Sequence, residues 1–326
     1  MNLSAIFALF FGGVILILVA SKLLVEVSKE LAKAWKLSPL FVSIIVVALG
    51  TNLPELTVLI SALLKGDAGL ALGNVVGSNI SNITLIFGTG ILFHSPRIGT
   101  NKTQKNALLM AALTVVFILL EFLPILKQTR GLILLGFLGA FLFYEYGIAK
   151  YGRTHEDKNL LKKLQKKTKS KRSLFEKRGG VWIAFLAIIG AIIGLGMGSS
   201  SVVYSIRQLS QMFNLSTTLL GMTLVATTTS LPELMTILIA GLKKQDKVIV
   251  GTLIGSNIYN LALFAPIVQL SPFEAHLNLT DLVYLLISVL FFVGIIIKSK
   301  GKRVPKIYGV ISLVIFGLFI LSSFAG

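Results

Sequence analysis

The sequence contains no cysteine, so disulfides and thiolate metal sites are excluded. Histidine is scarce as well. His94, His155 and His276 lie far apart, and no histidine-based metal centre is expected. Acidic residues number only 13, and charged residues of both signs make up 13% of the 326. So little charge cannot cover a water-soluble protein of this length. A hydrophobic content of 55% and a mean hydropathy of +0.87 suit a lipid-embedded one. No HExxH or GxSxG motif occurs, so no hydrolytic machinery is legible and no enzyme is expected. GLGMGSS, Gly194 to Ser200, has no preceding strand and reads as helix packing rather than a phosphate-binding loop. No resident cofactor is expected.

What the chain has in abundance is long apolar runs. A membrane helix needs about 20 mostly apolar residues. Runs of that kind lie near 3–22, 38–64, 68–92, 106–126, 131–149, 180–204, 216–242, 247–269, 280–297 and 307–324. The expected fold is therefore an all-α membrane protein with ten transmembrane helices. The first and sixth continue as amphipathic stretches to about Lys36 and Asn214. The run Leu3 to Ala20 has no basic stretch before it and is long enough to span, so it reads as a helix rather than a cleaved signal. Between the fifth and sixth runs, residues 151–179 include KKLQKKTKSKR and little apolar patterning. They read as a basic cytoplasmic linker between a first unit, 1–150, and a second, 180–326.

The net charge of +18 would suggest nucleic-acid binding in a soluble chain. Here the basic residues fall between the apolar runs, and no nucleic-acid partner is expected. Placing the linker inside puts 27 of the 31 Lys and Arg on the cytoplasmic side of a ten-span topology, leaving only Lys65, Lys127, Arg130 and Arg207 outside. The expected location is the cell membrane, multi-pass, with both termini extracellular.

The chain also contains itself twice. At an offset of 178, ALGTNLPEL (Ala48 to Leu56) falls on ATTTSLPEL (Ala226 to Leu234), and GNVVGSNISN (Gly73 to Asn82) falls on GTLIGSNIYN (Gly251 to Asn260). Leu37-Ser38 falls on Leu215-Ser216, and Lys65 on Lys243. A unit of five spans is odd, so the second copy enters the membrane from the opposite side. Two inverted five-helix repeats result, an architecture whose substrate site lies near the midplane where the repeats meet.

Glu55 and Glu233 are the carboxylates that recur in both copies. An ionised carboxylate deep in lipid costs at least ~2.5–3.5 kcal/mol on insertion scales. A cation shared between two of them removes that penalty and their mutual repulsion. No Lys or Arg lies deep in a span to serve as partner, and Glu121 and Glu145 read as interfacial. Pro54 and Pro232 precede the two glutamates and interrupt helix bonding. That frees carbonyls around Ala48 to Thr51 and Ala226 to Thr229, at a depth where unwound backbone must line a cavity. Thr51, Thr229 and Ser230 add hydroxyls, and Asn52 an amide oxygen. In the second block Ser78 and Asn82 share one helical face, as do Ser256 and Asn260. Asn79 and Asn257, one residue further round, are placed to bond a neighbouring helix. Gly73, Gly77, Gly251 and Gly255 allow close helix approach. The donors are all oxygen, which suits Ca²⁺ and excludes soft metals.

The blocks GTNLPEL/TTSLPEL and GNVVGSN/GTLIGSN resemble the two alpha repeats of the cation/calcium exchanger superfamily, and most of all its compact prokaryotic sodium/calcium exchangers. The resemblance implies antiport of Na⁺ and Ca²⁺, with helices 1 and 6 sliding over a core of helices 2, 3, 7 and 8. It implies Ca²⁺ between Glu55 and Glu233 with the carbonyls of Thr51 and Thr229. One Na⁺ site would be lined by Glu55, Ala226, Thr229, Ser230 and Ser256. Its mirror would be lined by Glu233, Ala48, Thr51 and Ser78, with Asn82 and Asn260 facing the centre. Two positions depart from the family pattern. Asn52 stands where a serine is usual, and Asn260 where many prokaryotic members carry Asp. A neutral Asn260 points to sodium-coupled, potassium-independent exchange, and the chain is expected to function as a monomer. Ca²⁺/H⁺ exchange and a passive cation channel are the alternatives.

Overall fold

The computed structural model describes residues 3–34, 37–64, 66–151, 180–212, 229–275 and 277–325. The linker 152–179, His155, His276 and the proposed ligand Ala226 lie outside them. The described residues are helical throughout, apart from short connections and one bridge between Arg97 and Arg303.

In chain order the helices are α1 (Leu3–Ala34), α2 (Pro39–Val42), α3 (Ala48–Thr51), α4 (Leu53–Leu64), α5 (Ala68–Ser81), α6 (Phe87–Phe93), α7 (Asn101–Phe122) and α8 (Lys127–Tyr151). There follow α9 (Gly180–Met212), α10 (Leu231–Leu242), α11 (Asp246–Tyr259), α12 (Ala265–Leu270), α13 (Leu279–Ser299) and α14 (Lys306–Ala325). Three π-helical stretches join α2 to α3 (Ser43–Val47), α5 to α6 (Asn82–Ile86) and α11 to α12 (Asn260–Phe264).

Among the described residues, seven helices are long and apolar enough to cross a membrane, or eight if the bent pair Pro39–Thr51 and Leu53–Leu64 counts as one. Leu231–Leu242 and Lys306–Ser322 are shorter apolar helices at the seventh and tenth expected positions. The first part of the expected span 216–242 falls outside the described residues. α1 and α9 run on past the lipid-length runs, as their amphipathic continuations imply.

Local chemistry sets the helix starts. Ser38 caps α2, its hydroxyl accepting from the Phe41 N–H at 3.1 Å, and Pro39 fills the first turn where no donor is needed. Asp67 caps α5 by accepting from the Leu70 N–H at 2.9 Å. Gly99 opens the turn into α7 at φ +91°, where a Cβ would lie 2.4 Å from the Ile296 carbonyl. Only glycine fits that turn, which packs the α6–α7 connection onto the end of α13.

Apolar side chains gather in two bodies. The larger cluster joins α4 through α8 with α10 through α13, around Phe87, Phe117, Phe264 and Phe292. A second, smaller cluster belongs mainly to α1 and α9, with Val42 and Val47 contributed from the broken helix. Outward faces carry exposed Phe, Leu and Ile side chains, as lipid contact requires.

Glu121 and Glu145 each have a basic side chain nearby. Glu145 is fully buried, with the Lys102 ammonium 3.8 Å away, and Lys102 also donates to the Ser38 hydroxyl at 3.4 Å. The long lysine stem carries its charge inward from the start of α7, a reach that counting charges along a run does not register. Glu121 pairs with Arg130 at 3.4 Å and accepts from the Gln269 amide at 2.9 Å.

Candidate cation site

A broken helix in the first half and the start of α10 in the second place the carboxylates. α3 ends at Thr51, Asn52 takes a turn conformation (φ −80°, ψ 4°), and α4 leaves at a bend of 43°. Pro54 has no N–H to give the Gly50 carbonyl, so the ladder fails there. The break begins later than the sequence implies. The Ala48 carbonyl is not free: it accepts the Asn52 N–H at 3.1 Å and the Thr51 hydroxyl at 3.2 Å. The proline withholds a bond from the carbonyl four residues back, and Ala48 is six back. In the second copy Ser230 occupies the same turn conformation (φ −85°, ψ 6°) before α10.

Glu55 and Glu233 then sit in the first turns of α4 and α10, where a helix N-terminus stabilises negative charge. Both are buried, and Glu233 lies within electrostatic reach of Glu55. Hydroxyls cross between the halves. Ser230 donates to Glu55 Oε1 at 3.3 Å, and Thr51 stands beside the Glu233 carboxylate. Thr229 is buried next to them.

The wall opposite comes from α5 and α11. Gly251 and Gly255 let α11 lie against the broken helix: a Cβ on Gly255 would be 2.6 Å from the Ala48 Cβ. Gly73 and Gly77 have no described neighbour within 4 Å. At the offset of 178, the positions that would face them are 218–226, outside the described residues. Ser78, Ser256, Asn82 and Asn260 are all buried. Asn52 donates through Nδ2 to the Ser256 carbonyl at 3.4 Å. Asn260 donates to Asn79 Oδ1 at 3.1 Å, so Asn79 does bond a neighbouring helix. Asn257 does not; its amide turns back to the Leu253 carbonyl of its own helix at 2.8 Å.

Eight buried oxygens of this set have no hydrogen-bond partner among the described residues: Glu55 Oε2, both oxygens of Glu233, Asn52 Oδ1, Ser78 Oγ, Ser256 Oγ, and the side-chain oxygens of Asn82 and Asn260. Unpaired buried acceptors are rare and costly. A set made of oxygens, with two carboxylates, is a hard-cation donor set. It provides neither a nucleophile–base pair nor a soft ligand.

Two features were missed in the sequence. The π-helical stretches after Ser81 and Tyr259 fall at the same offset of 178, and each carries an i→i+5 bond, Phe87 N–H to Asn82 O and Ala265 N–H to Asn260 O. The widened turns begin at Asn82 and Asn260, and π-bulges are frequent at functional sites. Pro266 follows the second stretch but Gly88 follows the first, so proline is not the shared cause. Thr236, three residues after Glu233 on the same helical face, is buried with its hydroxyl unpartnered. A lone threonine in an apolar run was the available signal.

From this floor a cavity of about 260 Å³ runs along α4 to the surface. Pro54 and Thr229 lie at its inner end, and Thr57, Ser61, Ser199, Ser200 and Tyr204 line it. It carries hydroxyls and no carboxylate.

Replacing Asn260 by Asp is expected to change the cation and pH preference of flux, because a third carboxylate would enter beside Asn79. Side-by-side flux assays over a pH series with Na⁺ and K⁺ check it. An identical profile would remove Asn260 from the site.

Several known proteins resemble this chain in sequence or fold. An inner membrane protein, YrbG, of Escherichia coli (strain K12) is 30% identical over 78% of this chain and 77% of its own length. The sodium/calcium exchanger MaX1 of Methanosarcina acetivorans is 25% identical over 96% of both. Among solved structures, the sodium-calcium exchanger NCX_Mj soaked with 10 mM Na⁺ and 10 mM Sr²⁺ superposes with a TM-score of 0.81 at 23% identity, covering 98% of this chain and 99% of that one. The sodium/calcium exchanger protein family matches twice, over residues 5–147 and again over 183–325, the two matches standing 178 residues apart as the repeated blocks do. The chain is a multi-pass membrane protein and belongs to the sodium/calcium exchanger protein family.

Proposed function

We propose that this chain is a secondary antiporter that exchanges Na⁺ for Ca²⁺ by alternating access, the ions competing for one site between Glu55 and Glu233. The observation that supports the reading is the pair of buried carboxylates, one from each half, within electrostatic reach of each other and carrying unpartnered oxygens. One Ca²⁺ or two Na⁺ neutralise the two charges, so the same groups bind either cargo and cannot hold both. That competition is the physical basis of exchange.

Ten membrane helices in two inverted repeats, 1–150 and 180–326, position the pair. The double family match at an offset of 178 supports the duplication, and the odd number of spans per unit supports the inversion. Both termini are extracellular and the linker 151–179 is cytoplasmic, on the distribution of basic residues. The vestibule beside Ser61 then opens outward. A single copy carries both halves of the site and works as a monomer, without a cofactor.

Ca²⁺ uptake into proteoliposomes preloaded with Na⁺ is expected to run at least tenfold faster than uptake into liposomes preloaded with K⁺ at equal pH. Uptake that follows an imposed pH gradient and ignores Na⁺ would make the chain a Ca²⁺/H⁺ exchanger instead. Unitary currents at fixed gradients would make it a channel.

A further inference from the structure

α1 and α9 pack on each other as a body with its own apolar cluster, built around Ile17, Leu24, Ala191 and Leu195. They cross where Gly13 meets Gly198: a Cβ on either would lie 2.8 Å from the other's carbonyl oxygen. Further along, a Cβ on Gly194 would lie 3.1 Å from the Ala20 Cβ. Rising numbers on α1 meet falling numbers on α9, so the two helices are antiparallel. Glu26 and Tyr204 consequently stand at opposite ends of this body.

At the Tyr204 end, the vestibule separates the body from α4. At the Glu26 end, the Glu26 carboxylate is ion-paired with the Lys243 ammonium, directly beyond α10. Lys243 comes ten residues after Glu233, about 15 Å at helical rise. The same seam is thus open on one side of the carboxylates and tied shut by an ion pair on the other. Leu231 and Met235 of α10 pack against the α1–α9 cluster along the closed side.

The two ends correspond through the repeat but differ in chemistry. At the offset of 178, Tyr204 falls on Glu26, Thr57 on Met235 and Ser61 on Ile239. Three hydroxyl positions of the open side, Tyr204, Thr57 and Ser61, are answered on the closed side by the lysine-held Glu26 carboxylate and the apolar Met235 and Ile239, while Val58 is answered by Thr236 and Ser199 by Ser21. Backbone duplication alone would keep both mouths alike, so the difference lies in how each one opens.

Resting on the antiport reading above, we infer that Glu26 and Lys243 are the gate of the inner mouth of the ion path. Paired, they hold α1 against α10 and keep that end shut. Parted, they release the seam and leave the Glu26 carboxylate facing cations that enter from that side. Glu26 is 51% and Lys243 27% exposed, so the pair is partly hydrated. Such pairs are weak, as a contact broken in each transport cycle must be.

The absence of native cysteine makes the test clean, because an introduced thiol is the only one. Met235→Cys reports the inner seam and Ser61→Cys the vestibule, each labelled with a membrane-impermeant maleimide from its own side without an ion gradient. Ser61→Cys is expected to label quickly and Met235→Cys slowly. Adding Lys243→Gln is expected to raise the Met235→Cys rate about three- to fivefold and to lower the Ser61→Cys rate, since one population shift governs both. Glu26→Gln is expected to act alike. The exchange Glu26→Lys with Lys243→Glu restores the original rates. Met235→Cys labelling that is unchanged in both neutral variants, or an exchange variant that labels as fast as they do, overturns the gate. Labelling needs no flux, so it reads the gate independently of the gradient-swap experiment.

Discussion

Glu233→Gln and Glu55→Gln are each expected to abolish Ca²⁺ flux while leaving the protein folded in the membrane. The neutral amide keeps the shape of the side chain and one carbonyl oxygen, but removes half of the negative charge facing the cargo. Removing one partner from a buried charged set costs about 3–5 kcal/mol, and each ~1.4 kcal/mol is a factor of ten. Loss of at least about two orders of magnitude in flux follows. Stability runs the other way. A buried carboxylate in a membrane helix is costly, and Gln lowers that penalty, so the ion-free variant is expected to melt no lower than the parent. Ca²⁺ is expected to raise the Tm of the parent, because it binds the folded state alone, and to leave the variant unmoved. A variant that transports normally, or that still gains Tm from Ca²⁺, would remove the carboxylate pair from the site. The two substitutions are expected to be equally severe, since each half supplies one charge.

Much of this site was legible because the chain repeats itself. A single Pro-Glu pair in an apolar run is ambiguous, but the same pair at an offset of 178 selects two of the thirteen acidic residues. Hydropathy located the long helices because lipid allows only one backbone solution for an isolated span. Ser78, Ser256, Asn82 and Asn260 were found by helical spacing from the same blocks, and the structure buries all four.

Other parts were hidden for physical reasons. The Ala48 carbonyl is bonded twice because a proline's missing donor acts at a fixed distance along the helix, and the sequence reading spread that effect over a whole turn. The π-helical stretches at Asn82 and Asn260 leave no hydropathy signal, since one extra residue per turn barely alters an apolar pattern. Nothing along its own run marks Glu145 as buried. Burial by Lys102 and neighbouring helices is a tertiary fact that position along one helix does not encode.

Gly255→Ala is expected to damage both packing and transport. A Cβ at this position would lie 2.6 Å from the Ala48 Cβ, 2.7 Å from the Ile44 carbonyl oxygen and 3.0 Å from the Ile44 Cα. Two of these three contacts are backbone, so no side-chain rotation relieves them. α11 must move away from the broken helix, at the cost of about 1–3 kcal/mol typical of overpacking. The same movement carries Ser256 away from Asn52, which now donates to its carbonyl, and separates the oxygen wall from the carboxylates. Misplacement of a binding group by 1 Å can cost two orders of magnitude in rate, so flux is expected to fall further than stability. Gly136→Ala on α8 supplies the comparison, for a Cβ there meets no described atom within 4 Å. Alanine's better helix propensity is expected to leave that variant as stable as the parent or up to about 1 kcal/mol more so, with normal flux. Equal behaviour of the two variants would mean that α11 is free to shift, and that the close approach at Gly255 does not set the geometry of the site.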